Sequence, residues 1–329
     1  MKEVINKLIE HKPLGREEAS NILKDIASSK YNPSQIAAFL TTYMMRSITV
    51  EELSGFRDAL LELCIHIDLS AYDAIDLCGT GGDGKDTFNI STLASFVTSG
   101  AGVKVAKHGN YGVSSVCGSS NVLEHFGLKF TIDKSILEKQ ISEAGICFLH
   151  APLFHPAMKN VAPIRKELGV KTFFNMLGPM VNPSFPKKQL VGVFNLELAR
   201  LYSYLYQQTD MDYVILHGLD GYDEISLTSD FKLISKDKEQ ILNAADLKLE
   251  VVQASDLFGG STVEEAARLF NNILEGNGTQ AQNQVVIANA AMAIHCSRNT
   301  SIEESVETAK ESLESGKALD SFNKLISIQ

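Results

Sequence analysis

Four glycines within six residues, Gly79, Gly81, Gly82 and Gly84, separate an apolar run at 74–77 from a helical pattern that opens near Leu93. A strand, a glycine loop and a helix in that order constrain the fold strongly. Glycine lets the backbone take positive φ and pass close to a ligand. The N–H groups of the loop, with the helix N-terminus behind it, make an anion site, and a phosphate or diphosphate suits it. Asn89, Ser91 and Thr92 add neutral hydrogen-bonding groups just before the helix. Gly79, Gly81 and Gly84 also satisfy G-x-G-x-x-G, although the dinucleotide fingerprint places its helix at the glycines and an acidic residue about 20 residues on. Gly79 to Lys85 satisfies G-x-x-x-x-G-K, but Asp86 stands where Ser or Thr would hold magnesium. A plain Gly-rich connector is the third reading. Asp83 would repel phosphate oxygens unless a cation intervenes.

From residue 71 onward the pattern alternates between strand and helix. Strands are expected at 103–106, 146–149, 190–194 and 213–216, with helices at 136–144 and 196–207 and a hairpin over 225–236. This predicts an α/β domain with a mainly parallel sheet flanked by helices. Ligands of such sheets bind beyond the C-terminal strand ends, which here carry Gly79, Lys107, His150 and His217. Residues 1–66 read as all helix. Asn32-Pro33 is a start signal, and Thr49 with Glu52 forms a capping box. The expected division is a small helical domain over 1–68 and an α/β domain over 69–156 and 181–329. A segment rich in proline (Pro152, Pro156, Pro163, Pro179, Pro183) interrupts the alternation, and its helical part, 157–180, is expected to complete the helical domain. The apolar stripes of the short helices also suggest a second copy as partner.

With 44% hydrophobic and 21% charged residues, the 329-residue chain has an ordinary globular composition. Its net charge of −10 disfavours a nucleic-acid role. Five scattered cysteines without a C-x-x-C pair suggest reduced thiols in the cytoplasm. The start of the chain does not read as a secretory leader, and no apolar run approaches the roughly 18 residues of a membrane span.

Two further stretches carry candidate chemistry. Lys107-His108-Gly109-Asn110 closes an expected strand beside the glycine loop. Lys107 is either a diphosphate cation or a solvated surface charge, and His108 either an acid–base group or a structural histidine. Ser114, Ser115, Ser119 and Ser120 are possible donors to phosphate. Asp223 and Glu224 follow the strand ending at His217. Adjacent carboxylates suit Mg²⁺, which takes one or two carboxylates plus substrate phosphates. A solvated acidic turn is the alternative.

Taken together, these runs resemble the anthranilate phosphoribosyltransferase family. The matching stretches are Gly79-Thr80-Gly81-Gly82-Asp83, Asn89-Ile90-Ser91-Thr92, Lys107 to Asn110 with Val113-Ser114-Ser115, and Gly221 to Ser226. Further matches are His155-Pro156-Ala157-Met158, Val161 to Arg165, and Phe174 to Pro179. The resemblance spans nearly the whole chain. It implies a nucleoside phosphorylase/phosphoribosyltransferase-like fold, homodimers through the helical domain, and transfer of phosphoribose from phosphoribosyl diphosphate (PRPP) to the amino group of anthranilate in tryptophan biosynthesis. By the same resemblance, Gly79, Gly82, Asp83, Thr87, Asn89, Ile90, Ser91, Thr92, the run from Lys107, His108, Gly109, Asn110, Tyr111, Gly112 and Val113 to Ser115, and Ser119 would bind PRPP. Gly79, Asn110, His155, Arg165 and Gly178 would bind anthranilate. Ser91, Asp223 and Glu224 would hold two Mg²⁺ ions, one arriving with PRPP. Many relatives carry Arg where this chain has Tyr111-Gly112. The competing functions are a pyrimidine nucleoside phosphorylase of related fold and a non-catalytic nucleic-acid-binding relative.

Overall fold

The computed structural model describes residues 1–112 and 116–328. The chain forms two compact units, one of residues 1–66 and 151–183, the other of 67–150 and 184–329.

The first unit is helical. Helices Lys2–Ile9, Arg16–Ala27, Pro33–Met45 and Val50–Leu63 are joined by shorter turns from 151–183, including Pro156–Asn160, Ala162–Leu168 and Phe174–Leu177. Capping sets the helix starts. Asn32 accepts from the Gln35 N–H, with Pro33 in the first position, and Thr49 and Glu52 bond reciprocally. Gly55 lets two helices meet, since a Cβ there would lie 2.1 Å from the Arg16 carbonyl oxygen. The core is aromatic: Phe39, Tyr43 and Phe56 surround Phe173, which stacks on Phe56 at 4.4 Å. Glu52 is fully buried and well satisfied. It accepts from the Leu14 N–H (2.9 Å), the Tyr43 hydroxyl (3.0 Å) and Arg46, whose guanidinium lies over the Tyr43 ring. The helical part expected over 157–180 is instead several short pieces, with Pro163 favouring a fresh start after Asn160.

The second unit is built on a seven-stranded sheet in the order β3-β2-β1-β4-β5-β6-β7. Its strands are β1 Ile75–Gly79, β2 Val105–Gly109, β3 Ile146–His150, β4 Lys188–Gly192, β5 Asp212–Gly218, β6 Phe231–Ser235 and β7 Glu239–Leu242. The first five are parallel, and β6 and β7 run antiparallel. One core packs Leu77 and Val105 against helix Ile90–Gly100 and the long helix Gln280–Arg298, with Phe96, Phe126, Phe270 and Phe322 in edge contacts nearby.

Two expectations are corrected here. The hairpin spans 231–242, not 225–236. Residues 226–230 bend, with Leu227 at φ 59° and Ser226 bonded to Thr228, and the ladder starts only where Phe231 meets Gly218. The polar turn at Ser235–Lys238 then reverses the chain. Strand β2 begins two residues later than expected, so Lys107 and His108 lie inside it, flanked by β1 and β3, and not at its open end.

The Glu52 carboxyl has a lowered pKa: burial alone would raise it, but Arg46 and the Leu14 and Thr49 N–H groups outweigh that. Because the folded value lies below the unfolded one, the carboxylate's contribution is full above the unfolded pKa and is lost as pH falls through the lowered value. Replacing Glu52 with Ala should cost about 3–5 kcal/mol in urea unfolding at neutral pH, since it strands a buried Arg46. The gap between wild type and variant should narrow in acid.

Candidate active site

The sheet order reverses between β1 and β4: the chain runs outward from β1 to β3, then returns to build β4 on the other edge of β1. Crevices at such switch points receive ligands. The two strands end in facing glycines, Gly79 opposite Gly192. Asp223 sits on this pair. A Cβ on Gly79 would lie 2.6 Å from Asp223 Oδ2, and one on Gly192 would lie 1.5 Å from the Asp223 carbonyl oxygen. Gly81, Gly82 and Gly84 all adopt positive φ, so the loop turns where only glycine is unstrained.

One N–H of the loop and one of the helix are already engaged. The Gly81 N–H donates to Asp223 Oδ2 (2.6 Å), and the Ser91 N–H, in the first turn of helix Ile90–Gly100, donates to Glu224 Oε1 (2.9 Å). The acid pair thus takes two of the donors that the strand–loop–helix pattern offers to phosphate. Both pKa values are raised. For Asp223 burial is the main cause, followed by the charge of Asp83, whose carboxyl touches it; the Gly81 N–H opposes. For Glu224 burial again leads, followed by Asp223 and Asp83, opposed by the Ser91 N–H and Lys107. A crevice with this surplus of hard oxygen donors fits Mg²⁺, whose charge would relieve the repulsion. Among the described residues no three acidic, His or Cys side chains form a complete metal cage, so water and phosphate oxygens would fill the remaining positions.

Other sequence candidates belong to the same unit. Lys107 is 2% exposed, and its Nζ donates to the Leu77 carbonyl (2.7 Å). Burial lowers its pKa, while Cys78, Asp76 and Glu224 oppose the shift. His108 is buried, and its main-chain N–H donates to Asp76 (3.1 Å). Thr87 bridges to Phe258, Asn89 donates to the Cys117 carbonyl (2.9 Å), and Thr92 is buried. Asn110 accepts from the Tyr111 N–H (2.8 Å), and its carbonyl accepts from Ser119 (3.3 Å). Tyr111 donates its hydroxyl to Glu124 (3.1 Å) and supplies no positive charge. Val113, Ser114 and Ser115 lie outside the described residues. His150 and His217 bond to Ser120 and to the Val193 carbonyl and are structural.

The remaining candidates belong to the helical unit. Arg165 lies 5.2 Å over the Phe174 ring and reaches Asn175 Oδ1 (3.3 Å); burial lowers its pKa. Its guanidinium is in none of the ion pairs among the described residues. His155 is buried and donates from Nε2 to the Val181 carbonyl (2.9 Å); burial pushes its pKa down to about 4, so the ring is neutral. Gly178 is exposed at the start of a short turn.

Sequence reasoning missed several groups that shape the site. Gly192 seats Asp223, and its place at a strand end opposite Gly79 was the available signal. Asn121 accepts from the Gly112 and Gly118 N–H groups (2.9 and 3.0 Å). Lys85 lies 4.5 Å from the Tyr222 ring centroid.

Two glycosyl transferase family models match the chain, the helical bundle domain at 2–64 and the a/b domain at 71–319. An anthranilate phosphoribosyltransferase of Christiangramia forsetii is 67% identical over 325 residues, 99% of this chain and 98% of that protein. The chain belongs to the anthranilate phosphoribosyltransferase family. Members transfer phosphoribose from PRPP to anthranilate in tryptophan biosynthesis. Among solved structures of anthranilate phosphoribosyltransferases, that from Thermus thermophilus superposes with TM-score 0.92 at 31% identity, covering 99% of this chain and 98% of that one. The Saccharomyces cerevisiae enzyme in complex with PRPP and Mg superposes with TM-score 0.91 at 28% identity, covering 98% and 96%. The same yeast enzyme is also solved with 4-fluoroanthranilate.

Gly192→Ala should force Asp223 off its seat. The expected loss is about 1–3 kcal/mol in urea unfolding, as for other overpacked sites. It should be accompanied by a higher Mg²⁺ concentration for half-maximal rate, measured by titrating the metal.

Proposed function

We propose that this chain forms N-(5-phosphoribosyl)anthranilate and diphosphate from PRPP and anthranilate at the crevice above β1 and β4. The observation that carries this reading is the adjacent Asp223–Glu224 pair, its aspartate buried and its glutamate half-buried, held on the Gly81 and Ser91 N–H groups. Such a pair repels a bare diphosphate and suits one that arrives with a divalent cation. Asp223, Glu224 and Ser91 would hold Mg²⁺, two ions per subunit with one brought by PRPP. Bound there, the metal supplies positive charge to the oxygens of the leaving diphosphate.

The glycine loop, with Gly79, Gly82, Asp83, Thr87 and Asn89, orients the ribose and diphosphate, and Lys107 adds a fixed positive charge beneath them. The C1–O bond of the ribose breaks and its electron pair leaves with diphosphate. The anthranilate nitrogen lone pair forms the new C1–N bond from the opposite face, and the nitrogen then loses a proton. A neutral aromatic amine needs no strong base for this attack, and neither buried His108 nor neutral His155 is required as one. Arg165, 5.2 Å over the Phe174 ring and without a carboxylate partner among the described residues, is suited to take the carboxylate of anthranilate. His155 and Gly178, in the same unit as Arg165, would join it in binding that substrate. Holding two substrates in line supplies much of the rate in such a transfer.

The two compact units correspond on this reading to a helical and an α/β domain. The helical one carries exposed Ile9, Met44 and Met45, which suit a homodimer contact. Among the described residues no helix is long and apolar enough to cross a membrane, and the enzyme is proposed to work in the cytoplasm.

With anthranilate, PRPP and Mg²⁺, anthranilate fluorescence should fall, and omission of either PRPP or the metal should abolish the change. Folded protein without such turnover, or phosphate-dependent release of a pyrimidine base from a nucleoside, would overturn the reading. Arg165→Ala should raise KM for anthranilate about 10- to 100-fold, the scale of a lost charged hydrogen bond, and spare KM for PRPP. Asp223→Asn with Glu224→Gln should chiefly raise the Mg²⁺ concentration needed for half-maximal rate.

A further inference from the structure

Asn289 is a buried polar residue in an otherwise apolar stretch, 285–294, of helix Gln280–Arg298. An amide there costs more than an apolar residue unless its hydrogen bonds are made. Three are. Its Oδ1 accepts from the Ile225 N–H (3.0 Å), and its Nδ2 donates to the carbonyls of Ile225 (2.8 Å) and Val285 (2.8 Å). Two of the three therefore grip both main-chain groups of one residue, as a neighbouring strand would.

That residue directly follows Glu224. The acid pair lies between β5 and β6, where no ladder fixes the backbone. Upstream, the Gly218 N–H donates to the Tyr222 carbonyl (2.9 Å). Downstream, the amide of Asn289 takes the place of the missing ladder. The two pins bracket Asp223 and Glu224. Asn289 also lines, with Cys78, Gly79, Ser91, Asp223 and Glu224, a cavity of ≈ 10 Å³ beneath the pair, about room for one water.

We propose that Asn289 is the positioning residue of the acid pair: from the helix behind the sheet it locks the backbone at Ile225 and so aims Asp223 and Glu224 at the metal and diphosphate. The inference rests on the assignment of that pair to metal and diphosphate. It makes Asn289 a support one step removed from the ligands, like the outer groups that orient ligating carboxylates.

Three measurements test it. In the unmodified protein, hydrogen exchange at the Ile225 amide should be as slow as in the helix; exchange as fast as at exposed loop amides would remove the clamp and the proposal with it. Asn289→Leu keeps the volume and deletes the clamp. The folded variant should need about 10- to 100-fold more Mg²⁺ for half-maximal rate and for half-maximal thermal stabilisation by Mg²⁺ with diphosphate. KM for PRPP should rise, with KM for anthranilate unchanged. Asn289→Asp keeps the acceptor for the Ile225 N–H and serves if the leucine variant does not fold; its shift should go in the same direction. A purely structural role predicts a lower melting temperature with wild-type metal and PRPP dependence, and that result overturns the proposal. Absence of PRPP turnover in the unmodified protein would instead count against the function, leaving the exchange measurement to judge the clamp.

Discussion

Burying two carboxylates side by side at the mouth of a parallel sheet is the constraint on which the larger unit depends. Like charges removed from water repel strongly, and each needs fixed partners. The fold provides some: the Gly81 N–H, the Ser91 N–H at a helix start, and the Lys107 ammonium beneath. Room comes from two facing glycines, Gly79 and Gly192, each at a position where a methyl group would collide with Asp223. These donors leave both pKa values raised, so a deficit of positive charge is built in. A crevice in that condition suits a divalent cation.

The helical unit contains an instructive opposite. Glu52 is more deeply buried than either acid of the pair, yet Arg46, Tyr43 and two backbone N–H groups satisfy it and its pKa is lowered. A fully satisfied carboxylate holds helices together, whereas the acid pair is left short of positive charge. Arg165 is the mirror case in positive charge: half-buried, over an aromatic ring, and paired with an amide rather than an acid.

Much of this was legible in the residues. Glycine spacing marked the loop after β1, strand–helix alternation implied the sheet, and capping residues located helix starts. The adjacent acids at 223 and 224 marked a candidate hard-metal site. What local patterns left hidden were relations across long sequence distances. Nothing near Gly192 says that its missing side chain makes room for Asp223. Nothing near Asn289 says that it holds Ile225. Lys107 was assigned to an open strand end because the strand start was placed two residues early, and a buried lysine bonded to a carbonyl has no local signature. The hairpin was misplaced for a similar reason: Ile225 and Leu227 alternate like strand residues but are buried from a bent loop.

The chain's path through the sheet has a further consequence, for how the molecule is made. β4, the partner of β1 on the site side, follows β3 only after residues 151–183 have been added to the helical unit. The acid that bonds to Gly81 lies 142 residues downstream of it. A chain emerging from the ribosome therefore carries β1 with one edge unpaired and its glycine loop without a wall while an entire excursion is synthesised. Unpaired edges of this kind template misassembly, and pairing over such separations is slow. The same topology that places the crevice within the sheet makes β1 the most vulnerable strand during biogenesis.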